Sequence, residues 1–161
     1  MGAGLSQRLS PPHYGGAMEA VLLLADAAVT DPGNKVHALG LGWTVTSTPT
    51  PPAALIALVK VPWTATNQPH RAVLRMLDAD GRPVLLPGPD GDASIEIVSD
   101  FEVGRPPGLP IGTDIDVPLV VTLGLGMPLA PDARYVWQLE IDGEVKDGWS
   151  VPFSVRPGSA A

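Results

Sequence analysis

Apolar and polar residues alternate along the chain in short runs, and prolines and glycines separate these runs. A period of two residues is typical of β-strands that bury one face, because successive side chains of a strand point to opposite faces. No window of about a dozen residues combines a helical apolar stripe with freedom from proline and glycine. The pattern therefore predicts an all-β fold of about eight or nine short strands.

The runs place the strands between recognisable turn sequences. The turn Asp31-Pro32-Gly33-Asn34 follows the first run, since proline presets φ and glycine or asparagine accepts a positive φ. It predicts an opening hairpin from the first two strands. The predicted strands cover residues 20–29, 35–47, 54–61, 70–77, 83–86, 93–103, 115–125, 136–141 and 149–155.

The C-terminal third has the clearest alternation. Every second residue from position 135 to position 141 has a large apolar side chain, so these side chains share one face. The final strand shows the same period of two. We expect these two strands to form a hairpin with an aromatic core face. Its structural residues are Tyr135, Trp137, Trp149 and Phe153.

A short segment before this hairpin carries a resemblance. Residues 129–135 (LAPDARY) resemble the tyrosine corner of immunoglobulin-like and fibronectin-like sandwiches. The resemblance implies an antiparallel β-sandwich of that type. It also implies that the Tyr135 hydroxyl hydrogen-bonds back to the preceding corner.

Two other segments resemble a protein family. Residues 33–40 (GNKVHALG), followed by Trp43, and residues 71–81 (RAVLRMLDADG) are similar to an uncharacterised family of small bacterial immunoglobulin-like β-sandwich proteins, a domain of unknown function. The resemblance spans about residues 18–156. It implies the sandwich fold, but it supplies no established activity and no catalytic residue.

The ends of the chain differ from the middle. Residues 1–17 show no apolar period and are predicted to be a flexible leader, and residues 157–161 a short tail, around one domain at 18–156. Met18 stands directly before the first strand and is an alternative start to Met1. If the leader is functional, Tyr14 is its candidate anchor on a neighbouring subunit.

Composition excludes several classes of function. The formal net charge of −7 argues against a nucleic-acid partner, because phosphate neutralisation needs clustered Lys and Arg. The absence of cysteine excludes disulfides, thiol catalysis and thiolate-held metals. No apolar run reaches the roughly 18–20 residues that span a membrane. We expect a cytoplasmic protein without membrane contact.

Candidate chemistry is sparse along the sequence, and no catalytic, cofactor or metal residue is predicted. The three histidines lack metal-ligand spacing, although His37 and His70 could meet if their strands pair. The turns at 78–81 and 90–92 carry paired aspartates, which are typical of β-turns, with a calcium site between the loops as an alternative. The pairs Asp114/Asp116 and Asp100/Glu102 leave an acid-pair hydrolase open.

Only 17% of the residues are charged, which leaves apolar surface for a protein partner or for self-association. The leading hypothesis is a non-enzymatic structural or protein-interaction module. An alternative is a carbohydrate-binding module, in which the partly exposed Trp63 stacks on a sugar. The candidate contact residues are Trp63, Trp43, Gly40, Gly42 and Tyr14.

Overall fold

A computed structural model of the chain describes residues 16–124 and 126–158. These residues form an all-β fold with one short 3₁₀ helix, Trp63–Ala65. The strands are β1 (Glu19–Ala25), β2 (Ala27–Thr30), β3 (Val36–Leu39), β4 (Val45–Thr46), β5 (Ala53–Val61), β6 (Pro69–Asp78), β7 (Leu85–Gly88), β8 (Gly91–Ser94), β9 (Glu96–Glu102), β10 (Ile115–Leu123), β11 (Arg134–Ile141) and β12 (Glu144–Val155).

Two sheets form the body of the molecule. The three-stranded sheet has the order β1-β5-β10, and the five-stranded sheet has the order β4-β12-β11-β6-β9. Every strand pair in them is antiparallel except β4–β12, which is parallel. The hairpins β2–β3 and β7–β8 make two further small sheets.

The facing sides of the two large sheets enclose one hydrophobic core. Alternation along β5 and β11 sends every second side chain inward, as the sequence pattern of these strands requires. Leu55 and Val59 of β5 and Trp137 and Leu139 of β11 are almost completely buried. Burying a large side chain of this kind contributes about 1.5–3 kcal/mol, so this layer is the main source of stability.

Tyr135 makes the hydrogen bond that the resemblance of residues 129–135 to a tyrosine corner implies. The backbone N–H of Ala130 donates to the Tyr135 hydroxyl at 2.9 Å. The Tyr135 ring stacks on Phe153 with the centroids 5.7 Å apart, and both rings are buried. This contact fixes the loop that leads into β11.

The prediction of eight or nine strands is wrong, because the described residues form twelve. The predicted strand 20–29 divides at Asp26, whose N–H donates to the carbonyl of Leu39 at 2.9 Å. The chain bends there, and β1 and β2 join different sheets. An apolar run that continues through a bend cannot reveal this division.

The predicted strand 35–47 also divides, into β3 and β4. Gly40 and Gly42 adopt left-handed φ values of 62° and 87°, which extended backbone does not allow. A Cβ at position 40 would collide with the carboxylate of Asp26. The two glycines therefore turn the chain rather than line a strand.

The connection between the predicted strands 83–86 and 93–103 is shorter than expected, because β7 and β8 pair up to Gly88 and Gly91. Among the described residues, no helix is long and apolar enough to cross a membrane.

We predict that Tyr135→Phe lowers the free energy of unfolding by about 1 kcal/mol, since it leaves the Ala130 N–H without its acceptor. Urea unfolding checks this through a lower midpoint with an unchanged slope. An unchanged midpoint would show that the hydroxyl contributes nothing to the corner.

Candidate functional site

The outer face of the three-stranded sheet, which points away from the core, is organised in rows. The antiparallel register aligns one residue from each of β1, β5 and β10 across the sheet. Three successive rows are the covered row (Leu23, Ile56, Val120), the open row (Val21, Leu58, Pro118) and the charged row (Glu19, Lys60, Asp116).

The hairpin β2–β3 packs on this outer face and buries only part of it. Ala28 and Ala38 face the sheet, and their small side chains allow the hairpin to approach Ile56 closely. Ile56 is 1% exposed, whereas Leu58 on the next row is 42% exposed. The hairpin therefore ends one row short of the sheet's last apolar residues.

A cleft of about 760 Å³ lies where the hairpin ends. The open and charged rows contribute to its lining, together with the hairpin tip at 34–36 and β12 at Gly148 and Trp149. Its volume falls within the range of about 300–1,000 Å³ that is typical of ligand sites. We call it the lysine cleft, for the residues that follow.

The chain has only three lysines, Lys35, Lys60 and Lys146, and all three line this cleft. Two acidic residues, Glu19 and Asp116, are the only carboxylates in the lining. The lining therefore carries a net positive charge in a chain whose formal net charge is −7. Apolar side chains and ammonium groups thus share one concave surface.

The three ammonium groups have different environments. Lys60 Nζ donates to Asp116 Oδ1 at 2.8 Å, and this hydrogen bond and the Asp116 charge raise the pKa of Lys60. Both side chains of this pair are more than half exposed, so it is easily exchanged for another anion. Lys146 Nζ donates to the neutral carbonyl of Met18 at 2.7 Å and lies 4.9 Å from the Trp149 ring centroid.

A second polar cluster lies at one end of the two large sheets, around His70. The carbonyl of Ala65 accepts from His70 Nε2 at 2.7 Å, and Asp142 Oδ2 faces Nδ1 at 2.6 Å. A carbonyl and a carboxylate are both acceptors, so the two ring nitrogens donate, as in an imidazolium. The Arg71 N–H donates to the other carboxylate oxygen, and Phe101 covers the ring at 5.3 Å.

Burial of the His70 ring opposes its charge, but the hydrogen bonds to Asp142 and Ala65 and the negative charges of Asp142 and Glu102 outweigh it. The pKa of His70 is therefore raised above its usual value. Burial likewise opposes the charge of Asp142, yet the bonds from His70 and Arg71 lower its pKa. The pair joins the start of β6 to the β11–β12 turn, and the bond to Ala65 adds the connection between β5 and β6.

Trp63, the residue expected to be partly exposed, is half-buried in the 3₁₀ helix. The Arg105 guanidinium lies 4.5 Å from its ring centroid and donates to the Trp63 carbonyl at 2.9 Å and to Thr66 Oγ1 at 2.7 Å. The guanidinium occupies one face of the ring, so that face is not free to stack on a sugar. Carbohydrate binding through Trp63 stays a prediction.

Three of the other candidate contact residues, Trp43, Gly40 and Gly42, do not line the lysine cleft. Trp43 is half-buried and packs edge-on against Phe153, with centroids 6.0 Å apart. Gly40 and Gly42 lie in the turn between β3 and β4. Tyr14 lies outside the described residues.

The two histidines considered as a pair have different partners, and one member of each acid pair has a cation partner. His37 faces Asp31 Oδ2 at 2.8 Å on the β2–β3 hairpin, whereas His70 faces Asp142. Asp116 pairs with Lys60, and Asp100 lies 3.4 Å from Arg71 Nε.

Asp78 accepts from the N–H groups of residues 80 and 82, as expected of a turn aspartate. Within residues 16–124 and 126–158, no three His, Asp or Glu side chains are grouped to hold a metal ion.

The sequence reasoning missed the lysine cleft. Its three lysines lie at positions 35, 60 and 146, so no local motif joins them. The one signal in the sequence is that lysines are few, since the other Lys and Arg residues of the chain are all arginines.

Comparison with known proteins gives a family. The model of a family described as "Family of unknown function (DUF6941)" matches residues 20–156. These bounds agree closely with the span of the resemblance described above. No curated protein matches the chain.

We predict that NMR titration gives His70 a pKa above the usual value of about 6.5. A raised pKa stabilises the fold at pH below the unfolded value, and this stabilisation is lost as the pH rises through the folded pKa. Asp142→Asn should lower the His70 pKa and cost about 1 kcal/mol near pH 6, a small value because Asp142 is half exposed.

Asp80→Asn is the matched control, since Asp80 is an exposed aspartate near Arg82 and follows β6 at the end opposite to His70. It should leave the His70 titration unchanged. A His70 pKa that Asp142→Asn does not lower would contradict the assignment of the imidazolium.

Proposed function

The chain belongs to DUF6941, a family of unknown function, and we propose that it is a non-enzymatic protein-interaction module with an immunoglobulin-like fold. Its contact surface is the outer face of the three-stranded sheet, at the lysine cleft. The observation that carries the proposal is the uncovered apolar row, in which Val21 is 53% and Leu58 is 42% exposed.

The strand order supports the immunoglobulin-like assignment. Immunoglobulin sandwiches place strands A, B, E and D in one sheet and C, F and G in the other, with added strands beside C in the variable type. The orders β1-β5-β10 and β4-β12-β11-β6-β9 agree with the A, B, E and the G, F, C parts of that arrangement, with β9 beside C and β4 added next to G. Tyr135 occupies the tyrosine-corner position, and Trp137 stands two residues later, where antibody domains carry a disulfide cysteine.

The two outer faces of the sandwich differ in character. On the five-stranded sheet, Arg75 bridges Glu96 at 3.0 Å and Glu140 at 2.7 Å, and its neighbour Arg71 lies near Asp100. Charges that already pair with one another at the surface would add little binding free energy on contact with a partner. The apolar row of the three-stranded sheet gains from burial, which favours this face for contact.

The buried histidine is already engaged in the structure. His70 lies between two acceptors, and its side chain is only 5% exposed. A general base needs a free nitrogen within reach of a substrate proton, which this geometry does not offer. A binding role is therefore better supported than a catalytic one.

A photo-crosslinking amino acid at position 58, in the protein expressed in its native host, tests the proposal. Position 98 on the outer face of the five-stranded sheet is the matched control, since Val98 is 46% exposed and Leu58 is 42% exposed. We expect a discrete protein adduct from position 58 and none from position 98. Mass spectrometry then identifies the adduct protein.

The identified partner, once purified, should bind the wild-type chain and Val98→Asp equally and bind Leu58→Asp at least about tenfold more weakly, since a charge in a contact core costs more than one kcal/mol. Circular dichroism checks that both variants are folded. Equal adducts from the two positions, or none from either, would contradict the proposal.

A further inference from the structure

The lysine cleft has a chemical preference that goes beyond protein binding in general. We infer that the partner presents an extended peptide segment in which carboxylate side chains flank an apolar side chain. This inference rests on the proposed function and specifies the chemistry of the segment that fills the cleft.

The arrangement of the rows sets the spacing of that segment. The open row offers Leu58 and Val21 to an apolar side chain, and the charged row places Lys60 two residues along β5 from Leu58. Lys35 stands at the hairpin tip and also lines the cleft. An apolar group on the open row therefore lies beside ammonium groups from two different elements.

The net positive charge of the cleft lining favours an anionic ligand over a cationic one. Lys60 is paired with Asp116 across an exposed surface, and such a pair contributes little to stability. Within the described residues, Lys35 makes no ion pair. Lys146 Nζ donates to the neutral Met18 carbonyl and lies 3.8 Å from Oε1 of the exposed Glu144, a long and weak pair. Carboxylates of a ligand would thus meet ammonium groups that the protein itself compensates only weakly.

The edge strand β10 favours a segment that lies across the face. Pro118 lies in the middle of β10 and lacks an N–H group, which disfavours a partner strand along this edge. We therefore expect the partner to be recognised at the face, through its side chains. This makes the order of apolar and acidic residues in the segment the main determinant of binding.

Titration of the isotopically labelled full chain with synthetic peptides tests the inference by NMR. The probes are capped peptides in which Asp, Asn or Lys lies two residues before and two residues after a Leu, with Ser between them, so that these side chains and the Leu share one face of the extended peptide. We call them the Asp–Leu, Asn–Leu and Lys–Leu peptides. We expect saturable shifts from the Asp–Leu peptide, confined to amides of the open row, the charged row and the hairpin tip. The shifts should weaken as salt is raised, because exposed charges are screened.

Charge-removing variants provide the second arm. Lys35→Gln and Lys60→Gln should each weaken binding of the Asp–Leu peptide by about two- to fivefold. Arg82→Gln is the matched control, because Arg82 is an exposed cation that does not line the cleft. Equal affinity for the Asp–Leu and Asn–Leu peptides, or no saturable binding of the Asp–Leu peptide, overturns the inference.

A titration with decanoate separates a peptide from a lipid-like ligand that has the same chemistry. Saturation of the cleft by decanoate without binding of the Asp–Leu peptide overturns the inference. Light scattering tests a second copy of the chain as the occupant, and self-association abolished by Leu58→Asp would overturn it too.

The partner identified by crosslinking distinguishes this inference from the proposed function. If that partner binds Lys60→Gln as tightly as Arg82→Gln, the inference fails while the proposed function stands. If position 58 gives no adduct, the proposed function itself fails.

Discussion

The outer face of the three-stranded sheet carries successive apolar rows, and removing such a surface from water is favourable. The hairpin β2–β3 covers the row that contains Ile56 through its small residues Ala28 and Ala38. The hairpin ends at the Asp31 turn, where the Lys35 N–H donates to the Asp31 carboxylate at 3.0 Å. The position of this turn decides where covered surface ends and open surface begins.

The location of the lysine cleft follows from this constraint. Residues from separate parts of the chain are brought to one boundary: Lys35 at the hairpin tip, Lys60 on β5 and Lys146 on β12. On the outer face of the five-stranded sheet, Arg75 pairs with its acidic neighbours Glu96 and Glu140. The two outer faces thus differ in character, because one carries paired charges and the other keeps an exposed apolar row.

Features that depend on residues close together along the chain could be predicted from the sequence. Strict alternation identified the buried face of Trp137 and Leu139, and the turn residues Asp31 to Asn34 located the β2–β3 hairpin. The bend at Asp26 was missed because a continuous apolar run conceals a change of sheet.

The lysine cleft was missed for a similar reason. The row that contains Leu58 exists only through pairing of β5 with β1 and β10, and a single sequence does not specify which strands pair. The His70–Asp142 pair joins residues 72 positions apart, so it too depends on strand order.

The most direct test of this account uses the absence of cysteine in the native chain. Single variants Ile56→Cys and Leu58→Cys place a thiol on the same sheet face, two residues apart, and alkylation under native conditions measures the access of each. The account predicts that position 58 reacts at least about tenfold faster than position 56, which reacts only through local opening of the hairpin. Equal rates at the two positions would show that the hairpin does not cover the sheet and would contradict the account.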